Sequence, residues 1–246
     1  MKKVAVVTGA SAGIGKCIAQ NFLDNGYEVF TISRRHMPLM SPAHTHISRN
    51  LASWEDCELA CIEIKKLVSK VDVLINNVGK SEWRSISRID HSFFEEMMAL
   101  NVASYFAITK NLQDKMESGS SIVNISSMAG KRGTKFNSMY CATKFAINGM
   151  TQSWAKEFGE RGIRVNAICP VLIRSEGLEE ALIKPEAPAE NTGIDNFLNE
   201  FTKSQAALGR LPNEQDVADF CVYLTSKTAG AITGQCINLD CGVFPQ

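Results

Sequence analysis

Short β-branched runs recur along the chain at residues 3–9 (KVAVVTG), 27–33 (YEVFTIS), 44–48 (HTHIS), 71–77 (VDVLINN), 121–127 (SIVNISS), 163–170 (IRVNAICP) and 235–240 (QCINLD). Helical patterns separate most of them, a rhythm that predicts parallel βαβ units around a buried sheet. The expected fold class is therefore α/β: a doubly wound parallel sheet in a three-layer α/β/α arrangement. Gly26, after KCIAQNFLDN, suits the position just past a helix end. Residues 90–116 read as one long helix that stops before Gly119, and a second long helix is expected at about 138–160. Residues 171–205 break the rhythm: they are polar, carry Pro185 and Pro188, and fit no strand. A long excursion of this kind in a compact domain is expected to be a lid or binding loop.

Length and composition narrow the picture. At 246 residues the chain suits one domain, 1–246, with no low-complexity segment or repeat to mark another. Lys plus Arg and Asp plus Glu balance at 26 each, so the basic surface expected of a nucleic-acid binder is missing and the expected partner is a small molecule. No apolar run approaches the ~20 residues of a membrane span. The eight cysteines include no CxxC pair, and no secretory pattern stands ahead of MKKVAVVTGA, so a reducing cytoplasm is expected. Cys57 and Cys61 read as small buried hydrophobes. His44 and His46 have no supporting ligand cluster, and no metal site is expected.

Candidate chemistry begins where the first strand runs into TGASAGIGKC, with Gly9, Gly13 and Gly15 at a strand-to-helix junction. Glycines there let a phosphate approach the backbone, and the helix start offers free N–H groups and the positive end of its dipole; a structural tight turn is the plain alternative. GxxxxGK[ST] fails, because Ala10 and Cys17 stand where that pattern needs glycine and a hydroxyl. GxGxxG fails too, because the spacing is GxxxGxG. Tyr140 and Lys144 are four residues apart in a predicted helix, which places them on one face. Such a pair can be ordinary packing with a snorkelling lysine, or a phenol tuned by a cation for proton transfer.

With Thr8 the loop becomes TGASAGIG, and here the sequence resembles the short-chain dehydrogenase/reductase family, in the branch whose chains are about as long as this one. The likeness covers essentially the whole chain and includes the NNVG turn at Asn76–Gly79. It implies a Rossmann-type fold and a cofactor pyrophosphate held by Thr8, Gly9, Ser11, Gly13, Ile14 and Gly15. Asn77, Val78 and Gly79 would line the adenosine ribose. The family tetrad of Asn, Ser, Tyr and Lys, with serine 13 residues before tyrosine, selects Ser127 rather than Ser126, together with Asn101, Tyr140 and Lys144. In these roles Ser127 and Tyr140 hydrogen-bond the substrate oxygen and Tyr140 gives or takes its proton. Lys144 binds the nicotinamide ribose and lowers the tyrosine pKa, and Asn101 holds a water linking lysine to solvent.

Pro170, Ile173 and Ser175 fall where relatives contact the nicotinamide, Ser175 keeping a hydroxyl where threonine is common. Val171 replaces a family glycine and resists positive φ. Cys241 replaces a second family glycine, in DCG. At the end of the second strand, where NAD enzymes place an acid, the chain has Ser33, Arg34 and Arg35; guanidinium groups suit a 2′-phosphate, so NADP(H) is the expected cofactor. Asn50 and Leu51 sit at the expected adenine. The resemblance implies a ketone/alcohol oxidoreductase, 3-oxoacyl-(acyl-carrier-protein) reductase-like, in which Arg161 matches one carrier-binding position and Ser118 stands at another. The lid carries Glu176, Glu179, Glu180, Glu186, Glu190 and Asp195 against Arg174 and Lys184, which would repel an acidic carrier protein. The alternatives are a small polar alcohol or ketone as substrate, or a catalytically silent NADPH-binding regulator. Relatives pair their long helices, so a homotetramer, or a dimer, is expected.

Overall fold

The computed structural model describes residues 2–36 and 41–245. Its centre is a parallel sheet of β1 (Val4–Thr8), β2 (Glu28–Ser33), β3 (His44–Ser48), β4 (Val73–Asn76), β5 (Ser121–Ile125), β6 (Arg164–Pro170) and β7 (Cys236–Leu239). The strands run in the order β3-β2-β1-β4-β5-β6-β7. Direction along the sheet reverses between β1 and β4, which opens a crevice at their C-terminal ends.

Successive side chains point to opposite faces of a strand, and here both faces are dry. Val4 and Val6 of β1 join one core with Cys57, Cys61 and Ile64 of α2 (Trp54–Leu67) and with α4 (Ser104–Leu112) and α5 (Ser138–Gly159). Ala5 and Val7 join the other with Ile18 and Phe22 of α1 (Gly13–Asp24) and with Val217 and Cys221 of α8 (Glu214–Thr225). This is the three-layer sandwich expected from the strand rhythm. Gly26 follows α1 at φ +81, a conformation that suits glycine. The buried Asn76 amide donates to Thr109 Oγ1 at 3.0 Å and Asn124 Oδ1 at 2.9 Å, which ties β4 to α4 and β5.

Two expectations need correction. The helix read across residues 90–116 is not uniformly α: α3 (His91–Met98) passes through a π-helical turn, Ala99–Ala103, before α4, and a short 3₁₀ turn closes it at Gln113–Lys115. Such a turn accommodates an extra residue in the rod, and Asn101 lies in its middle. Residues 171–205 are also more than a polar loop. They hold α6 (Glu176–Leu182) and α7 (Ile194–Gln205), and Leu182, Ala189 and Leu198 form an apolar cluster with Trp83. The acidic residues that give the segment its polar look stand outside that cluster.

Among the described residues no helix is long and apolar enough to cross a membrane, and no group of three or more His, Cys, Asp or Glu converges to hold a metal. His44 and His46 instead flank the Thr31 hydroxyl at 2.8 and 3.0 Å. All eight cysteines are free.

Candidate active site

The glycine loop is packed too closely for side chains. A Cβ on Gly15 would lie 2.4 Å from the Gly9 carbonyl oxygen, and one on Gly9 would lie 2.7 Å from Val78 Cα. The Thr8 hydroxyl accepts from Asn77 N at 2.9 Å and Val78 N at 3.2 Å, and Asn77 Nδ2 donates back to the Thr8 and Gly9 carbonyls. These bonds lock the loop to the Asn76–Gly79 turn. The first turn of α1 has no side-chain cap and no acidic residue, so its N–H groups stay available to an anion. A close-packed cradle at a bare helix start fits a dinucleotide pyrophosphate.

Above the sheet ends lies a cleft of about 830 Å³. Of the residues expected at the site, Thr8 and Asn101 are buried behind its walls, and the others all line it. Tyr140 and Lys144 project from successive turns of α5. Ser127, two residues past the end of β5, hydrogen-bonds the phenol, whereas Ser126 is buried and donates to the Lys144 carbonyl at 3.3 Å. Lys144 is 3 % exposed; its Nζ donates to the Ile125 carbonyl at 2.9 Å and lies 5.5 Å from the centre of the Tyr140 ring. Burial lowers the lysine to a pKa of about 8. Burial also pushes the Tyr140 phenol up to about 12, against the downward pull of the Ser127 hydroxyl. Loss of solvent is the largest influence on this phenol.

Asn101 Oδ1 accepts from Lys80 N at 2.9 Å, and its Nδ2 donates to Lys80 O at 2.9 Å and Thr143 Oγ1 at 3.2 Å. The π-helical turn therefore pins the strand-end loop to α5. A Cβ on Gly79 would lie 3.4 Å from Asn101 Oδ1 and 3.7 Å from Lys144 Nζ, so the three meet at one point.

Residues 3–185 match the model of the short chain dehydrogenase family, three quarters of the chain with both the glycine loop and the Tyr140–Lys144 pair inside the match. The chain belongs to the short-chain dehydrogenase family. It is 30% identical to sorbitol-6-phosphate 2-dehydrogenase of Klebsiella pneumoniae, covering 97% of this chain and 95% of that protein. It is 31% identical to a 3-oxoacyl-[acyl-carrier-protein] reductase of Aquifex aeolicus, covering 98% and 97%. The solved structure of an actinorhodin polyketide ketoreductase with NADPH superposes with a TM-score of 0.88 at 25% identity, covering 98% and 97%. As a member of this family the chain is an oxidoreductase that uses a nicotinamide cofactor.

In this short-chain dehydrogenase one end of the cleft is bounded by Ser33, Arg34, Arg35, Asn50 and Leu51. Ser33 is buried and its hydroxyl donates to Arg35 O at 2.9 Å, which fixes the turn. Arg34 and Arg35 are exposed and make no ion pair among the described residues, whereas Arg49 beside them is committed to Glu63 and Asp56. Val171 is buried and takes no positive φ; its N–H donates to Leu239 O at 3.3 Å. Cys241 does take the left-handed conformation, at φ +53. Ser175 Oγ accepts from Leu178 N at 3.3 Å and so caps α6 beside the cleft.

Two residues beside the tetrad escaped the sequence reading. Tyr105 is fully buried and donates to the Ile125 carbonyl at 3.0 Å, the acceptor that also holds Lys144. Asn137 stands one turn before Tyr140 and lines the cleft. Spacing was the available signal: four after Asn101 for one, three before Tyr140 for the other.

Proposed function

We propose that the chain is an NADP(H)-dependent oxidoreductase interconverting a ketone and a secondary alcohol, with Tyr140 as acid/base. The observation that carries it is the convergence of Ser127, Tyr140 and Lys144 on one cleft whose far end presents two arginines that make no ion pair among the described residues. Ser127 and Tyr140 hydrogen-bond the substrate oxygen. With its pKa near 12 the phenol is protonated at neutral pH, the state needed to donate to the oxygen of a ketone being reduced. Lys144 anchors the nicotinamide ribose, and bound NADP(H) supplies or takes the hydride. Both Asn101 Nδ2 protons are committed, so a water linking Lys144 to solvent is held by an oxygen of Asn101. The segment 171–205 acts as a lid over the substrate.

Two substrate classes fit this chemistry: 3-oxoacyl groups on an acidic carrier, and small polar ketones or alcohols. Arg161, the carrier-binding candidate, donates to the main-chain carbonyls of Gln113 and Met116 at 2.5 and 2.9 Å, which favours the second.

Cofactor choice is tested by fluorescence titration. Losing a charged phosphate contact costs roughly 1.5–3 kcal/mol, so NADPH should bind at least ~10-fold more tightly than NADH, and Arg34→Asp should narrow or reverse the preference. Equal affinities in the wild type would overturn the assignment of Ser33, Arg34 and Arg35.

A further inference from the structure

Asn137 is the N-cap of α5, yet its side chain does not cap the helix. Asparagine is favoured at that position because its oxygen accepts from the first free N–H groups, so the ordinary reason for this residue is missing. The residue is 4 % exposed, and Oδ1 is buried without a hydrogen-bond partner. Nor does Nδ2 make a hydrogen bond to any described residue, while the side chain lines the cleft. A buried amide oxygen left without a donor is costly, and native structures rarely keep one without a use. The turn before it is held in place: Phe136 takes φ +58, and its carbonyl accepts from Arg84 N at 2.6 Å. Asn137 lies three residues before Tyr140, on the same face of the helix start.

We infer that Asn137 recognises a hydroxyl on the carbon next to the reacting one, so that the substrate is an α-hydroxyketone or the corresponding vicinal diol. A hydroxyl donates and accepts, and the Asn χ2 torsion is broad enough to offer either end of the amide. The carbonyl of an ester or thioester only accepts and leaves Oδ1 unpaired. Isolated ketones leave the whole amide unpaired, and a site built to bond a substrate hydroxyl rejects the analogue lacking it by as much as about 10⁴-fold.

This inference rests on the reductase function proposed above. The test compares kcat/KM for 3-hydroxy-2-butanone and 2-butanone with NADPH, two ketones that differ by one hydroxyl. The wild type should prefer the hydroxyketone by at least ~10²-fold, and Asn137→Leu should collapse the preference to within about 3-fold while still binding NADPH. Equal use of both ketones by the wild type, which needs no variant, overturns the role of Asn137 alone. So does a preference that survives in a folded Asn137→Leu protein. A wild type that binds NADPH but turns over neither ketone overturns this inference too, while the reductase function, which also admits 3-oxoacyl substrates, is judged by Tyr140→Phe.

Discussion

Glu82 shows how strongly local charge can override burial in this protein. It is 8 % exposed, which opposes ionisation. Lys184 Nζ donates to it at 2.8 Å and Arg84 Nε at 2.7 Å, and Lys80 adds its charge at 3.4 Å, so the carboxyl is held down at about 2. In the unfolded chain it titrates near 4.5. Between those values the unfolded state binds more protons, so this contribution to stability is present above pH 4.5 and is lost as pH falls toward 2. From pH 6 to pH 3 the loss should be about 2 kcal/mol. Glu82→Gln should be less stable at neutral pH, because three cations then face one another without a carboxylate, and should lose less on acidification. Urea midpoints at pH 6 and pH 3 for both proteins check this; identical acid losses would contradict it.

Among the elements, α5 carries Tyr140 and Lys144, and together with α4 it leaves an apolar outer face. Phe106 and Phe145 are 45 % and 48 % exposed, and Phe106 lies between Trp54 and Trp154 at ring separations of 6.2 and 5.9 Å. We propose that these helices pair with a second copy, and that the assembly is a tetramer or a dimer. Exposed aromatic surface of this kind is a usual mark of association. Sedimentation at micromolar concentration should show no monomer; a monomer alone would refute the pairing. The same rod shows what sequence periodicity misses. Apolar spacing revealed its length, but a π turn is decided by how Asn101 bonds Lys80 and Thr143, contacts distant in sequence. In α6 and α7 the exposed acids masked the few apolar positions that form the cluster with Trp83.

For the molecule as a whole, the parallel sheet and its layering were legible because sheet burial on both faces writes itself into uninterrupted apolar runs such as Val4–Val7 and Val73–Ile75, whereas the strand order, set by contacts between elements, was not. The glycine loop and the Tyr140–Lys144 pair were legible because close backbone approach and helix periodicity each demand particular residues at fixed spacing. Proton affinities were not, since the height of the Tyr140 pKa comes from desolvation by the folded whole. Nor was the idle amide of Asn137, which is defined by partners it lacks. The account as a whole stands on Tyr140 as the acid/base of a cleft that binds NADPH. Its most direct test is Tyr140→Phe, which removes a single oxygen. Turnover of the ketone best used by the wild type should fall by about 10²–10⁴ while folding and NADPH binding persist. A folded, NADPH-binding Tyr140→Phe protein that turns over at the wild-type rate would contradict it.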